Sequence, residues 1–221
     1  MNSPEKTDPK NAPIFNLPIA TKTLAMIIIG VFFVQFFLYP TGKANFFASF
    51  GFVPSNFLDF PPKTIFAIIS PFSYIFIHGT LLHVIMNTLM VVAFGSGVER
   101  WLGTKKFLIL FFGTAIAAIT IHFFYAVISD RLFETYYLGR AIIGASGATS
   151  GLFAAGIIYL RNIGTGIGSG PNGLAPLVIL FIFISIIFGL TGSPDGHSVA
   201  WVAHIGGFLS GFAFLKFMKK L

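Results

Sequence analysis

The stretch GASGATSG, Gly144 to Gly151, opens a short apolar run that is typical of a membrane helix. None of its residues is larger than threonine, and Ser146 stands near its start. Gly147 and Gly151 are four residues apart, a spacing that lets two membrane helices pack with their backbones close together. The stretch therefore predicts a helix that begins with a hydroxyl group and packs tightly against another helix.

The composition of the chain indicates a membrane protein. Of its 221 residues, 55% are hydrophobic and 10% are charged, whereas soluble domains carry about 25% charged residues. A spanning helix needs about 20 mainly apolar residues. Six spans are predicted, at residues 23–39, 79–98, 106–128, 146–160, 174–190 and 201–217. The expected fold is an all-α membrane bundle of six transmembrane helices.

The remaining segments complete the predicted organisation. A polar N-terminal tail, residues 1–21, and a basic C-terminal tail, residues 218–221, flank a six-span domain, residues 22–217. Residues 64–77 are apolar but short and contain a proline, so we expect an interfacial segment there. The glycine-rich GTGIGSGPNG after Arg161 lacks the GK[ST] ending of a phosphate-binding loop and is predicted to be a flexible connector.

The basic residues predict the orientation of the bundle. Six spans put both termini on one side, and cytoplasmic loops of membrane proteins are enriched in Lys and Arg. Of the 14 basic residues, that side would hold Lys6, Lys10, Lys22, Arg100, Lys105, Lys106, Arg161, Lys216, Lys219 and Lys220. We therefore expect cytoplasmic termini. Because these residues flank apolar spans, the net charge of +7 does not indicate a nucleic-acid partner.

This orientation gathers four polar side chains at one depth. His83 and Asn87 lie near the start of span two, Ser146 opens span four, and His204 lies near the start of span six. All three spans would run from the outside inwards. Polar groups at membrane depth need an internal, water-filled cavity, so a polar site below the outer surface is predicted.

The acidic residues exclude several kinds of membrane-embedded site. None of the seven falls in the interior of a predicted span: Glu5, Asp8, Asp59, Glu99, Asp130, Glu134 and Asp195. An aspartyl protease needs two facing carboxylates, a zinc protease of the HExxH type needs its glutamate, and proton-coupled transporters usually carry a mid-membrane acid. There is also no cysteine. No metal or other cofactor is predicted.

What remains is a serine with a histidine. A neutral imidazole can take the proton of a serine hydroxyl near pH 7, and without a buried carboxylate the pair would be a dyad. Ser146 stands at a helix N-terminus, where free N–H groups can stabilise an oxyanion. His204, Gly207 and Gly211 share one face of span six and offer glycines to match Gly147. Gly144 and Gly147 keep bulk away from Ser146.

Four motifs in this order resemble the rhomboid family of intramembrane serine proteases. They are HGTLLHVIMN with His78, His83 and Asn87, GVERWLG after span two, GASG around Ser146, and AHIGGFLSG around His204. The resemblance covers roughly residues 20–217, nearly the whole chain. It implies a six-span core in which the motifs lie on spans two, four and six.

The resemblance also implies roles for individual residues. Ser146 would be the nucleophile and His204 the general base and acid. The oxyanion hole would comprise the Ser146 N–H and the side chains of His83 and Asn87, with the Ala145 N–H as a further donor. Residues with structural roles would be His78 near the cavity, and the pair Glu99 and Arg100, which would hold the second loop together.

The resemblance further implies partners and a location. Substrates would be single-span proteins of the lipid bilayer, cleaved near its outer face, with span five as a gate and the loop GLTGSPDGHSVAW as a cap. The bare six-span core favours a bacterial cytoplasmic membrane, with the site open to the outside. Two alternatives stay open: an inactive relative that binds membrane clients, and a channel for small solutes.

The chain departs from the family pattern in two places: at Ser150, and in residues 40–77, where the tryptophan–arginine pair common in the family's first loop is not evident. Ser150 stands where a large aromatic residue usually packs against the catalytic histidine. Either the rotation of His204 is then less restrained, or another ring, such as Phe153 or Trp201, takes that place. Ser150 itself would lie one turn deeper than Ser146, away from the free N–H groups. His122 and His197 belong to no motif and are predicted to be structural or solvated.

Overall fold

The structure, a computed structural model, describes residues 16–39, 43–58, 62, 64–192 and 199–218. Its helices are α1 Ile19–Leu38, α2 Lys43–Phe50, α3 Ile65–Ser73, α4 Leu81–Leu102, α5 Thr104–Phe133, α6 Ser146–Asn162, α7 Ala175–Thr191 and α8 Trp201–Met218. In these ranges the sole β-type pairing is an isolated bridge between Phe52 and Ile142. The described chain is therefore nearly all helical.

Four of these helices are long and apolar enough to cross a membrane, namely α1, α4, α5 and α8. Two shorter apolar helices, Ile65–Phe76 and α7, accompany them. Each predicted span overlaps one helix, although α5 extends the third span at both ends and α2 was not predicted. These helices indicate a multi-pass membrane bundle, whereas the number of crossings and the side of the termini stay predictions.

The interfacial segment predicted at residues 64–77 forms α3 and a short 3-10 helix, Tyr74–Phe76. Thr64 caps α3 by accepting a hydrogen bond from the Ala67 N–H at 3.1 Å. Pro71 lies inside this helix and has no N–H to donate to the Ala67 carbonyl. The Ser70 hydroxyl donates to that carbonyl instead, at 2.8 Å, so the helix tolerates its proline.

Helix α6 lies in the centre of the bundle, between α4, α5 and α8. Nearly every residue from Gly147 to Ile157 is buried. A helix that touches other helices on all sides needs small side chains rather than lipid-facing bulk. This position explains why α6 contains so many glycines and alanines.

The two glycines of α8 lie directly against α6. A Cβ atom at Gly207 would lie 2.1 Å from the Gly147 carbonyl oxygen, and one at Gly211 would lie 2.7 Å from the Gly151 carbonyl oxygen. On its other side, a Cβ at Gly147 would lie 2.6 Å from Ala118 Cβ of α5. The backbones of α6 and α8 are therefore in contact, at a distance that only glycine permits.

Glu99 and Arg100 join α4 to two other segments. The buried Glu99 carboxylate accepts hydrogen bonds from the N–H groups of Ala20 and Thr21, and from the hydroxyls of Thr21 and Thr104, at 2.7 to 3.1 Å. Helix α1 has no side-chain cap of its own, so this carboxylate caps its first turn. The Arg100 guanidinium donates to the Asn16 carbonyl. The pair thus anchors α1 as well as the start of α5.

A folded loop carries the chain from α5 to α6. The Asp130 carboxylate accepts hydrogen bonds from the Thr135 hydroxyl at 2.6 Å and from the N–H groups of Tyr137 and Leu138 at 2.7 and 2.9 Å. The chain then pairs with Phe52 at Ile142, through hydrogen bonds of 2.8 and 2.9 Å. These contacts define the path by which the backbone enters α6 at Ser146.

Candidate active site

Ser146 and His204 are brought together at the contact between α6 and α8. Ser146 is the first residue of α6, and His204 lies in the first turn of α8. Ser146 Oγ and His204 Nε2 are 2.8 Å apart, a hydrogen-bond distance. An Nε2 atom without a proton accepts the hydroxyl hydrogen in this geometry. Both residues are only partly buried.

Close helix packing accounts for this proximity. Gly147 follows Ser146, and a Cβ at Gly147 would lie 3.9 Å from the carbonyl oxygen of Ala203, which precedes His204. One turn further along α8, Gly207 touches the Gly147 carbonyl. The backbone contact on either side of the pair therefore determines the distance between hydroxyl and imidazole.

The N-terminus of α6 presents the N–H groups of its first turn beside the Ser146 hydroxyl. Ala145 occupies the N-cap position and offers no side-chain cap. The first-turn N–H groups of a helix have no intrahelical carbonyl partner, and they carry the positive end of the helix dipole. A negative charge that develops next to Ser146 would be stabilised there.

His83 lies against the backbone just before the serine. Thr80 caps α4 by accepting a hydrogen bond from the His83 N–H at 3.1 Å. A Cβ at Gly144 would lie 2.6 Å from His83 Nε2, and Gly144 has a φ of +105°. Close approach and left-handed backbone both require glycine here. The His83 imidazole is thus held beside the segment that carries Ser146.

Asn87 is buried one turn further along α4. Its Nδ2 donates to the His83 carbonyl at 2.9 Å, and its Oδ1 has no hydrogen-bond partner in the part of the chain that the structure describes. A primary amide has two N–H donors. One hydrogen of Asn87 therefore remains for another acceptor.

His78 holds the residue next to the serine. It is fully buried, and its Nε2 accepts the Ala145 N–H at 3.4 Å while Nδ1 lies 3.3 Å from the Phe76 carbonyl. The proton must therefore be on Nδ1, which donates to Phe76. Burial, together with the neighbouring His83, lowers the pKa of His78 to about 3, so the ring stays neutral. The Ala145 N–H points to His78 and would have to change partner to bind an oxyanion.

A further polar residue, Gln35 of α1, contacts this group and was not singled out from the sequence. Its Nε2 donates to the His78 carbonyl at 2.6 Å, and its Oε1 accepts the His78 N–H at 3.4 Å. Gln35 is 1% exposed. The signal was a lone glutamine in the apolar run VFFVQFFL.

The aromatic residues near the site pack elsewhere. Phe153 packs on Phe94, Phe181 and Phe208, and Trp201 packs on Tyr125. Among the described residues, no ring packs on the His204 imidazole. The Ser150 hydroxyl donates to the Ser146 carbonyl at 2.7 Å, so it serves the backbone of α6.

Three further predictions concern His122, the cap that contains His197, and the absence of a metal site. His122 is buried against Tyr125 and Tyr137. His197 and the central part of the predicted cap, residues 193–198, lie outside the described residues. Within the described ranges, no group of His, Asp and Glu side chains is arranged to hold a metal ion.

Comparison with known proteins identifies the family of the chain. Residues 63–220 match the model of the Rhomboid domain. Rhomboid-like protease 3 of Toxoplasma gondii is 25% identical over 146 residues, which cover 66% of this chain and 50% of that protein. Rhomboid protease GluP of Bacillus subtilis is 30% identical over 146 residues, 62% of this chain and 24% of that protein.

A plant relative extends the similarity along the chain. Rhomboid-like protein 15 of Arabidopsis thaliana is 25% identical over 213 residues, 90% of this chain and 46% of that protein. The chain spans half or less of the length of these three relatives. The matched domain includes every motif from His78 to His204. The resemblance found in the sequence is confirmed: the chain belongs to the rhomboid family of multi-pass membrane proteins.

Proposed function

We propose that this protein is an intramembrane serine endopeptidase that cleaves transmembrane segments with a Ser146–His204 dyad. The observation that carries the proposal is the 2.8 Å contact between Ser146 Oγ and His204 Nε2 at the start of α6. Relatives named as rhomboid proteases in Toxoplasma gondii and Bacillus subtilis support it. A hydroxyl bound to a neutral imidazole is the arrangement that general-base catalysis requires.

The proposed reaction proceeds in two stages. His204 Nε2 takes the hydroxyl proton as Ser146 Oγ attacks the substrate carbonyl, and the protonated imidazole then gives this proton to the leaving amine. The C–N bond breaks and an acyl-enzyme ester remains. Water, deprotonated by His204, attacks the ester, and the proton returns to Ser146 Oγ as the acid product leaves.

The negative oxygen formed in each stage would be bound by several donors. These are the Ser146 N–H at the α6 N-terminus, the His83 imidazole and the second amide hydrogen of Asn87. The proximity of His83 to Gly144 supports this assignment. The Ala145 N–H would join them only after releasing His78. Preorganised donors of this kind lower the barrier most where water is excluded.

Substrates are proposed to be single-span membrane proteins that unwind locally near the outer face of the bilayer. A hydrogen-bonded helix does not present its carbonyl carbons to attack, so helix-breaking residues at the scission site are favoured. We place the six-span domain, residues 22–217, in a bacterial cytoplasmic membrane with both termini in the cytoplasm. The basic residues on the terminal side support this orientation.

A fluorophosphonate probe tests the proposal, because it phosphonylates a serine whose hydroxyl is activated by a neighbouring base. We expect the membrane-embedded protein to be labelled and to cleave a model transmembrane substrate, and Ser146→Ala and His204→Ala to abolish both activities. Ser150→Ala is the matched control, since this serine lies one turn away and bonds to the backbone. It should retain labelling.

Two results would contradict the assignment. Cleavage of the model substrate by the Ser146→Ala variant would mean that Ser146 is not the nucleophile. A folded wild-type protein that is neither labelled nor active on any model substrate, but retains membrane clients, would instead favour the inactive, client-binding alternative.

A further inference from the structure

The first helix presents one polar side chain to the active-site region. The buried positions of α1 follow a helical stripe, comprising Ala20, Thr21, Leu24, Ala25, Ile28, Phe32 and Gln35. Gln35 ends this stripe and lies against His78 rather than against apolar side chains. A lone amide at this position is costly among lipid tails unless its groups are bonded.

The side-chain amide of Gln35 forms two hydrogen bonds with the backbone of His78. It donates to the His78 carbonyl at 2.6 Å and accepts the His78 N–H at 3.4 Å. A glutamine matches both needs because its side chain carries one donor group and one acceptor. An apolar residue would leave both His78 groups unsatisfied, and unpaired buried backbone groups are rare in native proteins.

From His78 the chain of contacts reaches the nucleophile. The His78 ring bridges the Phe76 carbonyl and the Ala145 N–H, and Ala145 precedes Ser146. In parallel, the Gly144 N–H donates to the Tyr74 carbonyl at 2.8 Å. The segment from Tyr74 to His78 thus accepts hydrogen bonds from both Gly144 and Ala145 and holds them in position.

We propose that Gln35 is a positioning residue of the active site, which orients Ser146 through His78 and Ala145. For its effect on catalysis, this inference rests on the proposed serine-protease function. Gln35 touches no reacting atom. Its role is to hold the His78 backbone, so that the imidazole keeps the entry to α6 in the orientation that pairs Ser146 with His204.

The test compares Gln35→Leu with Thr21→Val in the full-length protein in detergent. Both changes remove a buried hydrogen bond from α1, but the Thr21 hydroxyl bonds to Glu99 at the other end of the helix. We expect both variants to unfold at a lower temperature than the wild type. Only Gln35→Leu should disturb the start of α6.

Two readouts separate positioning from general stabilisation. Amide hydrogen exchange in peptides that cover residues 141–150 should be faster by about tenfold in Gln35→Leu only, since the loss of one hydrogen bond lowers the local opening energy. In Gln35→Leu, the rate of fluorophosphonate labelling and the kcat, both per folded protein, should fall by about 10- to 100-fold. The KM should be nearly unchanged, because a reacting group is misplaced while substrate binding is not affected.

Coupling to His78 provides a stricter test. Because Gln35 acts through the His78 ring, Gln35→Leu added to His78→Phe should lower kcat by less than about threefold beyond His78→Phe alone. If Gln35→Leu does not fold, Gln35→Met, which has a similar length but no amide group, is measured in its place.

The outcomes are distinguishable from failure of the proposed function. A folded wild-type protein that is neither labelled nor active on any model substrate refutes the protease, while hydrogen exchange still tests the link from Gln35 to Ala145. Unchanged exchange at residues 141–150, or equal losses of kcat in Gln35→Leu and Thr21→Val, would overturn the inference.

Discussion

Replacing Gly207 by alanine tests whether the contact between α6 and α8 holds the dyad together. A Cβ at this position would lie 2.1 Å from the Gly147 carbonyl oxygen, and real Cβ atoms essentially never approach another atom closer than 3.0 Å. The obstacle is helix backbone, which cannot rotate away as a side chain does. Helix α8 therefore has to move from α6 by about 1 Å, a misplacement that can cost an active site about 10²-fold in rate.

The same movement separates the reacting groups. Ser146 Oγ and His204 Nε2 are 2.8 Å apart, and a further 1 Å gives roughly 3.8 Å, beyond hydrogen-bond range. In the proposed mechanism, His204 then no longer takes the serine proton efficiently. We expect Gly207→Ala to lower kcat by about 10²-fold, while overpacking lowers the free energy of unfolding by about 1–3 kcal/mol.

The assay is the initial rate of cleavage of a model transmembrane substrate in reconstituted vesicles, normalised to folded protein. Two alanine variants serve as controls. The three atoms nearest to a Cβ at Gly206 are side-chain atoms of Ile121, at 3.0 to 3.3 Å, and a Cβ at Gly30 meets nothing within 4 Å. Both should keep the rate within about threefold of the wild type. A Gly207→Ala variant that cleaves at the wild-type rate would refute the reasoning.

Two further predictions concern the proposed oxyanion hole and the capping of α1 by Glu99. Asn87→Ala should lower kcat by about 10²–10³-fold through loss of one donor. Steady-state kinetics measure this, and an unchanged kcat would remove Asn87 from the proposed hole. Glu99→Gln should lower the melting temperature in detergent, because each hydrogen bond to the charged carboxylate contributes about 1.5–3 kcal/mol. The protein that remains folded should still react with the fluorophosphonate probe at the wild-type rate. A normal melting temperature would contradict the capping role given to this carboxylate.

The sequence predicted the helical membrane class and the motifs of the site because both depend on local patterns. Runs of about 20 apolar residues indicate spans, and Gly147, Gly151, Gly207 and Gly211 indicate close helix contact through their spacing alone. The structure has those glycines in backbone contact. The six-span count, the orientation and the catalytic roles stay predictions.

Other features depend on contacts that no local pattern reveals. The bond from Gln35 to His78 joins residues 43 positions apart, and the bond from Ala145 to His78 joins residues 67 apart. The capping of α1 by Glu99 spans 79 positions. A glutamine in an apolar run indicates only that a partner exists, because a buried amide has to be bonded. Its partner depends on which loop passes beside that helix.

By itself, then, the sequence determined which segments are apolar enough to form membrane helices, and which small or polar residues lie at their ends. It did so because hydrophobicity and residue spacing are properties of a single helix. Tertiary structure alone decided that the His78 ring takes the Ala145 N–H, and that no described ring packs on His204. Hydrogen bonds and ring contacts of this kind depend on the relative rotation and depth of several packed helices, which the spacing within any one helix does not specify.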